Sequence, residues 1–368
     1  MTTKTCLTIL FILSLTACTL NVGGEGLPPV QSNVSTDLEQ TSRPSSAASA
    51  PMAYISFIIN VHDWVNIDES AGILLRLVDL FERYQVSGDF YFTAPEVEAL
   101  VNSHPEVIAR LKSSEMTISY HVRPPHPLYN GFGSQLQGLS DQELHDTLLD
   151  YETYKLDLTT GELDRSQPGG YQYVTRVFGK KPVTASAPSS NRRIKMMAEK
   201  NYAQLGARVT VHYHEEGTDI GQPFEFSNGL LIRPSDFSIT RIPDGRNFWW
   251  NFISSPKAAE FDPLHMLQTR LAAWQAERPP FITVLIHENN FYRSGPESWT
   301  AFYYDHENKD QPLSPTFDLT VKGQSKSRSQ ADQDAIWQAY ERLVVFAAAQ
   351  LRVITSSDLE FLYNRGSK

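Results

Sequence analysis

The sequence predicts an α/β fold built on a parallel sheet or barrel, and two observations predict it. Short apolar runs alternate with longer segments whose apolar residues recur every three or four positions, the pattern of repeated strand, helix and strand units. The chain has 368 residues, 41% of them hydrophobic, enough to bury the core of one large α/β domain or two ordinary ones. No internal repeat is visible.

Tyr54 to Asn60 is an almost unbroken apolar run and reads as the first strand. Ile73, Leu74, Leu77, Leu80 and Phe81 then recur at helical spacing within Glu69 to Tyr84. Asp89 to Thr93 is the second strand, followed by helices around Pro95 to Leu100 and Pro105 to Leu111. Glu115 to Tyr120 is the third. Ser140 with Glu143 forms a capping box that starts a helix over Asp141 to Tyr154. Further strands are expected at Pro182 to Ser186, Ala207 to Tyr213, Gly229 to Ile232, Phe281 to Ile286 and Leu351 to Thr355. Helices are expected near Arg192 to Lys200, Pro263 to Glu277 and Gln330 to Gln350. Two polar, aromatic-containing stretches, roughly Glu215 to Ser255 and Glu288 to Ser329, read as long loop insertions, which on such scaffolds often carry function.

The N-terminus reads as a leader. Lys4 supplies a positive charge, Leu7 to Leu15 an apolar stretch too short to span a bilayer, and Leu15-Thr16-Ala17-Cys18 a small-residue cleavage site. That tetrapeptide resembles the lipobox of bacterial lipoproteins. The resemblance implies a signal peptide over residues 1–17, lipidation of Cys18 and a membrane-anchored, exported protein, on the outer membrane or periplasmic face of a Gram-negative cell. Residues 18–53 are rich in Ser, Pro, Gly and Thr and read as a flexible tether, leaving 54–368 as the catalytic domain. The other cysteine, Cys6, lies inside the leader, so a metal site in the mature domain must use His, Asp and Glu. A formal charge of -10 without a basic patch excludes nucleic acid as a partner. No obligate protein partner is evident, and neither a phosphate-cradling glycine loop nor a Gly-x-Ser-x-Gly elbow occurs.

In a parallel barrel the C-terminal ends of the strands carry the active site. His62 and Asp63 follow the first strand, His121 and His126 the third, and His287 with Glu288 the strand at Phe281. His212 and His214 flank another strand end, where a solvated strand terminus is the plainer reading. A helix would turn His121 and His126 about 140° apart, but Pro124, Pro125 and Pro127 forbid helix and fix a turn in which both rings can converge. Two neutral imidazoles with the Asp63 carboxylate would suit Zn²⁺ or another divalent transition ion.

This order resembles the polysaccharide deacetylase family, metal-dependent carbohydrate esterases on a distorted (β/α)7 barrel. The resemblance covers Tyr54 to Leu362, including "SGDFYFT" and "RVITSSDLEFL". It implies Asp63, His121 and His126 as metal ligands and His287 as the acid that protonates the leaving group. His62 stands where the family has its base aspartate. It can act as the base, since an imidazole titrates near neutrality, or it can be a ligand, with Glu288 or Glu216 as base. The family's third-motif arginine is missing before Pro188; Arg123, Arg192 or Arg208 could substitute. Arg123 is placed on the substrate side with Tyr129 and Asn130, whose backbone would stabilise the oxyanion. Phe248, Trp249, Trp250, Phe291, Tyr292, Trp299, Tyr303 and Tyr304 are aromatics suited to stacking on sugar rings. The implied reaction is removal of acetyl groups from an N- or O-acetylated polysaccharide. The alternatives are glycoside cleavage on the same barrel, or a decayed site that only binds carbohydrate.

Overall fold

A computed structural model describes residues 53–212, 224–236, 262–275 and 278–366. The leader, Cys18, the tether before Ala53, His214, Glu216 and Phe248 to Trp250 lie outside the described residues. Strand β1 (Tyr54–Val61) is the centre of a parallel sheet. It pairs with β2 (Asp89–Phe92) from Ile58 onward, and β2 pairs with β3 (Thr117–Tyr120). Single parallel bridges continue from Tyr120 to Ala185 and from Thr184 to Val209. The next strand, β6 (Val209–Thr210), pairs in parallel with β8 (Leu230–Ile232). The strand β9 (Phe281–His287) returns to β1 along its whole length. Asp236, just past β8, closes the ring: its N–H donates to the Phe281 carbonyl at 2.7 Å and its carboxylate accepts the Phe281 N–H at 2.7 Å. The result is a distorted (β/α)7 barrel, whose fourth station is only the Thr184 and Ala185 bridges.

Along each barrel strand the side chains alternate. Ile55, Phe57, Ile59 and Val61, with Phe90, Phe92, Ile118, Ile282, Val284 and Ile286, join the core beneath the helices. The complementary positions, Ser56, Asn60, Asp89, Tyr91, Thr117, Ser119 and Thr283, are buried and mostly polar. The interior is therefore largely polar, where such barrels more commonly stack branched apolar layers. At its base the Asp89 carboxylate accepts Ser119 Oγ at 3.0 Å, Ser356 N at 2.8 Å and Ser356 Oγ at 2.6 Å, and pairs with the buried Arg233 guanidinium.

The helices cover the outside. In α1 (Ile67–Arg83) the residues Ile73, Leu74, Leu77, Leu80 and Phe81 are buried, as their spacing predicts, and Asp68 and Glu69 oppose the positive helix start. Next come α2 (Ala94–Ser103) and α3 (Pro105–Lys112). The capping box at Ser140 and Glu143 opens α4 (Asp141–Tyr151), which stops three residues before its expected end, Tyr154. There a hairpin begins, β4 (Tyr154–Leu156) and β5 (Leu163–Pro168), followed by α5 (Gly170–Phe178). This unit has no counterpart in the expected elements. Gly170 makes it possible: at φ +52° a Cβ there would lie 2.4 Å from the Tyr151 carbonyl oxygen. Further on are α6 (Arg192–Leu205), the edge strand β7 (Phe226–Ser227), α7 (Pro263–Ala272) and a second small pairing of β10 (Arg293–Ser294) with β11 (Lys326–Ser327). Between these two strands lies the short α8 (Thr300–Tyr303). The last strand, β12 (Arg352–Val353), lies between α9 (Gln330–Gln350) and α10 (Ser356–Gly366). It meets only Tyr54 and Ile55 of β1, and the chain then turns into a helix whose first residue, Ser356, plugs the barrel.

Asp89→Asn would leave Arg233 buried with its counter-charge removed. We expect a loss of about 3–5 kcal/mol of stability, read from the shift in denaturant midpoint.

Candidate functional site

Three imidazoles meet at the C-terminal mouth of the barrel. His62 follows β1, His121 follows β3 and His287 is the last residue of β9, whose register places it beside Asn60. The His62 ring centroid lies 4.7 Å from that of His287 and 5.6 Å from that of His121. All three residues are buried, His62 completely. Among the described residues, both ring nitrogens of His62 and Nε2 of His121 are buried without a hydrogen-bond partner. Burial holds all three rings below the ordinary imidazole range, reinforced by the Arg123 charge; His287 is pushed down to about 3. The rings are therefore neutral, the form that offers a lone pair.

The second insertion completes the cluster. Glu297 is buried, and its carboxylate lies 3.7 Å from His287 Nδ1 and 2.9 Å from Lys309 Nζ. Burial alone would raise its pKa, but Lys309 and then His287 outweigh burial and hold it at about 2. Among the described residues, His62, His287 and Glu297 form the group whose ligand atoms lie within 4.8 Å of one another. Two nitrogens and one carboxylate oxygen fit a divalent transition ion. The unpartnered nitrogens of His62 support that fit, since buried polar atoms ordinarily have partners. Sequence reasoning missed Glu297 and Lys309. They sit in an irregular segment, and no periodicity or motif there signals a fold back over the barrel mouth.

Trp299 roofs the cluster, its ring 6.1 Å from His62. Arg123 lies over the faces of Trp299 and Tyr129 at 5.9 and 5.7 Å, and Lys309 Nζ is 4.9 Å from the Trp299 ring centre. Beside them a cleft is lined by Trp64, His121, Arg123, His126, Tyr151 and Lys155, among others. Of the three arginines offered as substitutes for the missing one, Arg123 is the one among the imidazoles. Arg208 pairs with Glu360 and Arg192 is exposed. Asn130 braces Ser190, whose N–H it accepts at 2.9 Å.

The expected triad of Asp63, His121 and His126 is not gathered at one point. Asp63 leaves β1 on the side opposite His62. It accepts the Tyr292 hydroxyl at 2.7 Å and the Asn66 amide at 2.9 and 3.0 Å, and Asn66 also reaches Ser298 at 2.7 Å. Asp63 thus ties β1 to the insertion that carries Glu297. Its neighbour Glu288, the alternative base, is buried on the same side and accepts the N–H groups of His62 and Asp63 at 2.8 and 2.5 Å. Burial and the Asp63 charge push Glu288 up to about 8.

His126 has turned inward as well. Its Nδ1 accepts the Leu128 N–H at 3.2 Å, and Nε2 lies 3.4 Å from the buried Glu152. Its Nδ1 lone pair is thus engaged, while Nε2 faces Glu152 without a hydrogen bond, and His126 is not in the group formed by His62, His287 and Glu297. His212 is similarly absorbed, 2.9 Å from Glu199, which also holds Ser227 and Asn228.

No protein-family model and no curated protein sequence matches this chain. Among solved structures, a Mycobacterium smegmatis protein described as a polysaccharide deacetylase superposes with a TM-score of 0.46 at 13% identity, over 88% of this chain and 95% of that one. A 4-alpha-glucanotransferase from Thermococcus litoralis gives 0.45 at 10% identity, over 83% and 40%. A Pseudomonas aeruginosa protein described as a polysaccharide deacetylase gives 0.42 at 14% identity, over 85% and 91%.

The pKa shifts set opposite pH dependences in the metal-free protein. Folded His287 resists the proton that its unfolded form accepts, so its contribution falls as pH drops from about 6.5 towards 3. Folded Glu288 retains a proton that its unfolded form releases, so its contribution is lost as pH rises from about 4.5 through 8. Denaturant midpoints measured across pH in chelator should show His287→Asn flattening the acid limb and Glu288→Gln flattening the neutral-to-alkaline one.

Proposed function

We propose that the protein is a metal-dependent hydrolase that removes acetyl groups from a saccharide. The observation that carries this reading is the buried group of His62, His287 and Glu297 at the barrel mouth, with neutral imidazoles beside an open cleft. A divalent ion held there, Zn²⁺ by its preference for this donor set, would polarise an acyl carbonyl and acidify water.

The chain's own residues divide the remaining work. Because His62 and His287 belong to the ligand group, the roles of base and leaving-group acid pass to His121, which lines the cleft. Its Nε2 lacks a partner while hydrogen bonding with the backbone at Val61 and Tyr91 engages the ring. It can take a proton from attacking water at Nε2 and return it to the departing amine or alcohol. Trp299 shields His62 from bulk water, and Trp64, which lines the cleft, offers a ring face to a sugar. Glycoside cleavage would use two carboxylates flanking the scissile bond. Among the described residues the cluster contains only Glu297, already engaged by Lys309. We place the substrate outside the cytoplasm, in the cell envelope or exported matrix, on the strength of the leader and Cys18.

The test couples metal analysis to acetate release from N-acetylated oligosaccharides. His62→Ala and Glu297→Gln should lose bound divalent ion, whereas Asp63→Asn and His126→Ala retain it. His121→Ala should keep the metal but lower kcat by roughly 10²–10⁴-fold. Full metal retention in both His62→Ala and Glu297→Gln would sink the proposed site.

A further inference from the structure

We propose that the cleft selects a saccharide bearing a singly charged oxyanion, a carboxylate, and that the Arg123 guanidinium receives it. This inference rests on the hydrolase reading for its location, and deepens it by naming what the substrate carries.

Arg123 is half-buried, yet it forms no ion pair among the described residues. Its Nη1 donates to the carbonyl of its neighbour Val122 at 3.1 Å, and its Nε is buried without a partner. Aromatic faces hold the group instead: Tyr129 at 5.7 Å and Trp299 at 5.9 Å. Contact with two rings set at 82° to each other holds the guanidinium by its charge without consuming its N–H donors. Such a fork matches a carboxylate bidentately.

The neighbouring cations are already neutralised. Lys155 pairs with Glu98 across the cleft wall, and Lys309 pairs with Glu297. Arg123 therefore contributes one uncompensated positive charge, in a chain whose formal charge is -10. A single negative charge balances it. A phosphate monoester, at about -1.5 to -2 near neutrality, would leave an excess. A net negative protein also repels anions at long range, so an anionic substrate needs a local cation of this kind. The guanidinium lines the cleft together with His121, placing a bound carboxylate on the substrate side of the imidazoles.

The experiment uses the full chain and three N-acetylated oligosaccharides that differ at one substituent: a carboxylate, the same position reduced to a hydroxymethyl group, and a phosphate monoester. Binding is measured by calorimetry on chelator-treated protein, and acetate release on zinc-loaded protein. The carboxylate form should bind roughly 10- to 100-fold more tightly than the neutral form, the range of a charge-assisted hydrogen-bond pair. Arg123→Met should remove that preference and Arg123→Lys should recover only part of it, with thermal unfolding checked for each variant. A preference that persists without acetate release would support the carboxylate subsite and count against the hydrolase reading alone. Equal binding of charged and neutral forms, or tighter binding of the phosphate, would overturn the inference. So would an Arg123→Met variant that lowers kcat equally for charged and neutral substrates without changing their relative binding, because Arg123 would then serve the reacting oxyanion.

Discussion

The two-residue period of the barrel strands is the constraint on which the rest of the molecule depends. On β1, Ile55, Phe57, Ile59 and Val61 face the helices, and Ser56, Ile58, Asn60 and His62 form the complementary series. A side chain can reach the imidazole cluster only from that second series, or from a loop folded over the mouth. His62 and Asp63 are adjacent in sequence and for that reason point to opposite sides of the sheet wall. One joins the imidazoles, while the other joins Tyr292, Asn66 and the carboxylates behind the strand.

The sequence made local order legible because local order rests on neighbouring residues. The apolar run of β1, the helical spacing in α1 and the capping box at Ser140 each contain their own explanation. The β4–β5 hairpin was not legible, since its strands are polar and half-exposed and carry no alternation. Nor was α10, whose start is fixed by a contact with Asp89, distant in sequence. The site was legible in position and illegible in membership. Strand ends marked His62, His121 and His287 correctly as one neighbourhood. The proline turn brought His126 close to the cleft, but its Nδ1 is taken by the Leu128 N–H, and no spacing encodes that.

The second insertion forms a cap whose small core it shares with Phe132 of the loop after β3. Phe132, Trp299, Phe302, Tyr303, Tyr304 and Phe317 pack together and are nearly fully buried. Of the aromatics that sequence alone offered as a sugar-stacking wall, Trp299, Tyr303 and Tyr304 are consumed in that packing and Phe291 and Tyr292 in the main core, which explains how an irregular segment can hold Glu297 in register with His287. Rigid support matters because a ligand or acid–base group misplaced by an ångström loses much of its effect. The Asp63, Asn66 and Ser298 chain adds a polar tie between β1 and the same cap. Asp63 therefore still bears on the site by positioning the cap.

The charges of the cap and the barrel mouth form a consistent arrangement. Glu297 is kept ionised by Lys309 despite its burial, and the imidazoles are kept neutral by burial and by Arg123. These two effects require each other. An ionised carboxylate facing protonated imidazoles would collapse into a closed salt bridge and leave no ligand atom available. Neutral imidazoles without a carboxylate would bind a dication weakly in so enclosed a space, because nothing would offset its charge. Lys309 holds Glu297 in its ionised form through the same atoms that a metal ion would compete for. A dication would compete through its larger charge and its coordination by two nitrogens. The cap can thus be ordered around the Lys309 ammonium, with the carboxylate held ionised and in place.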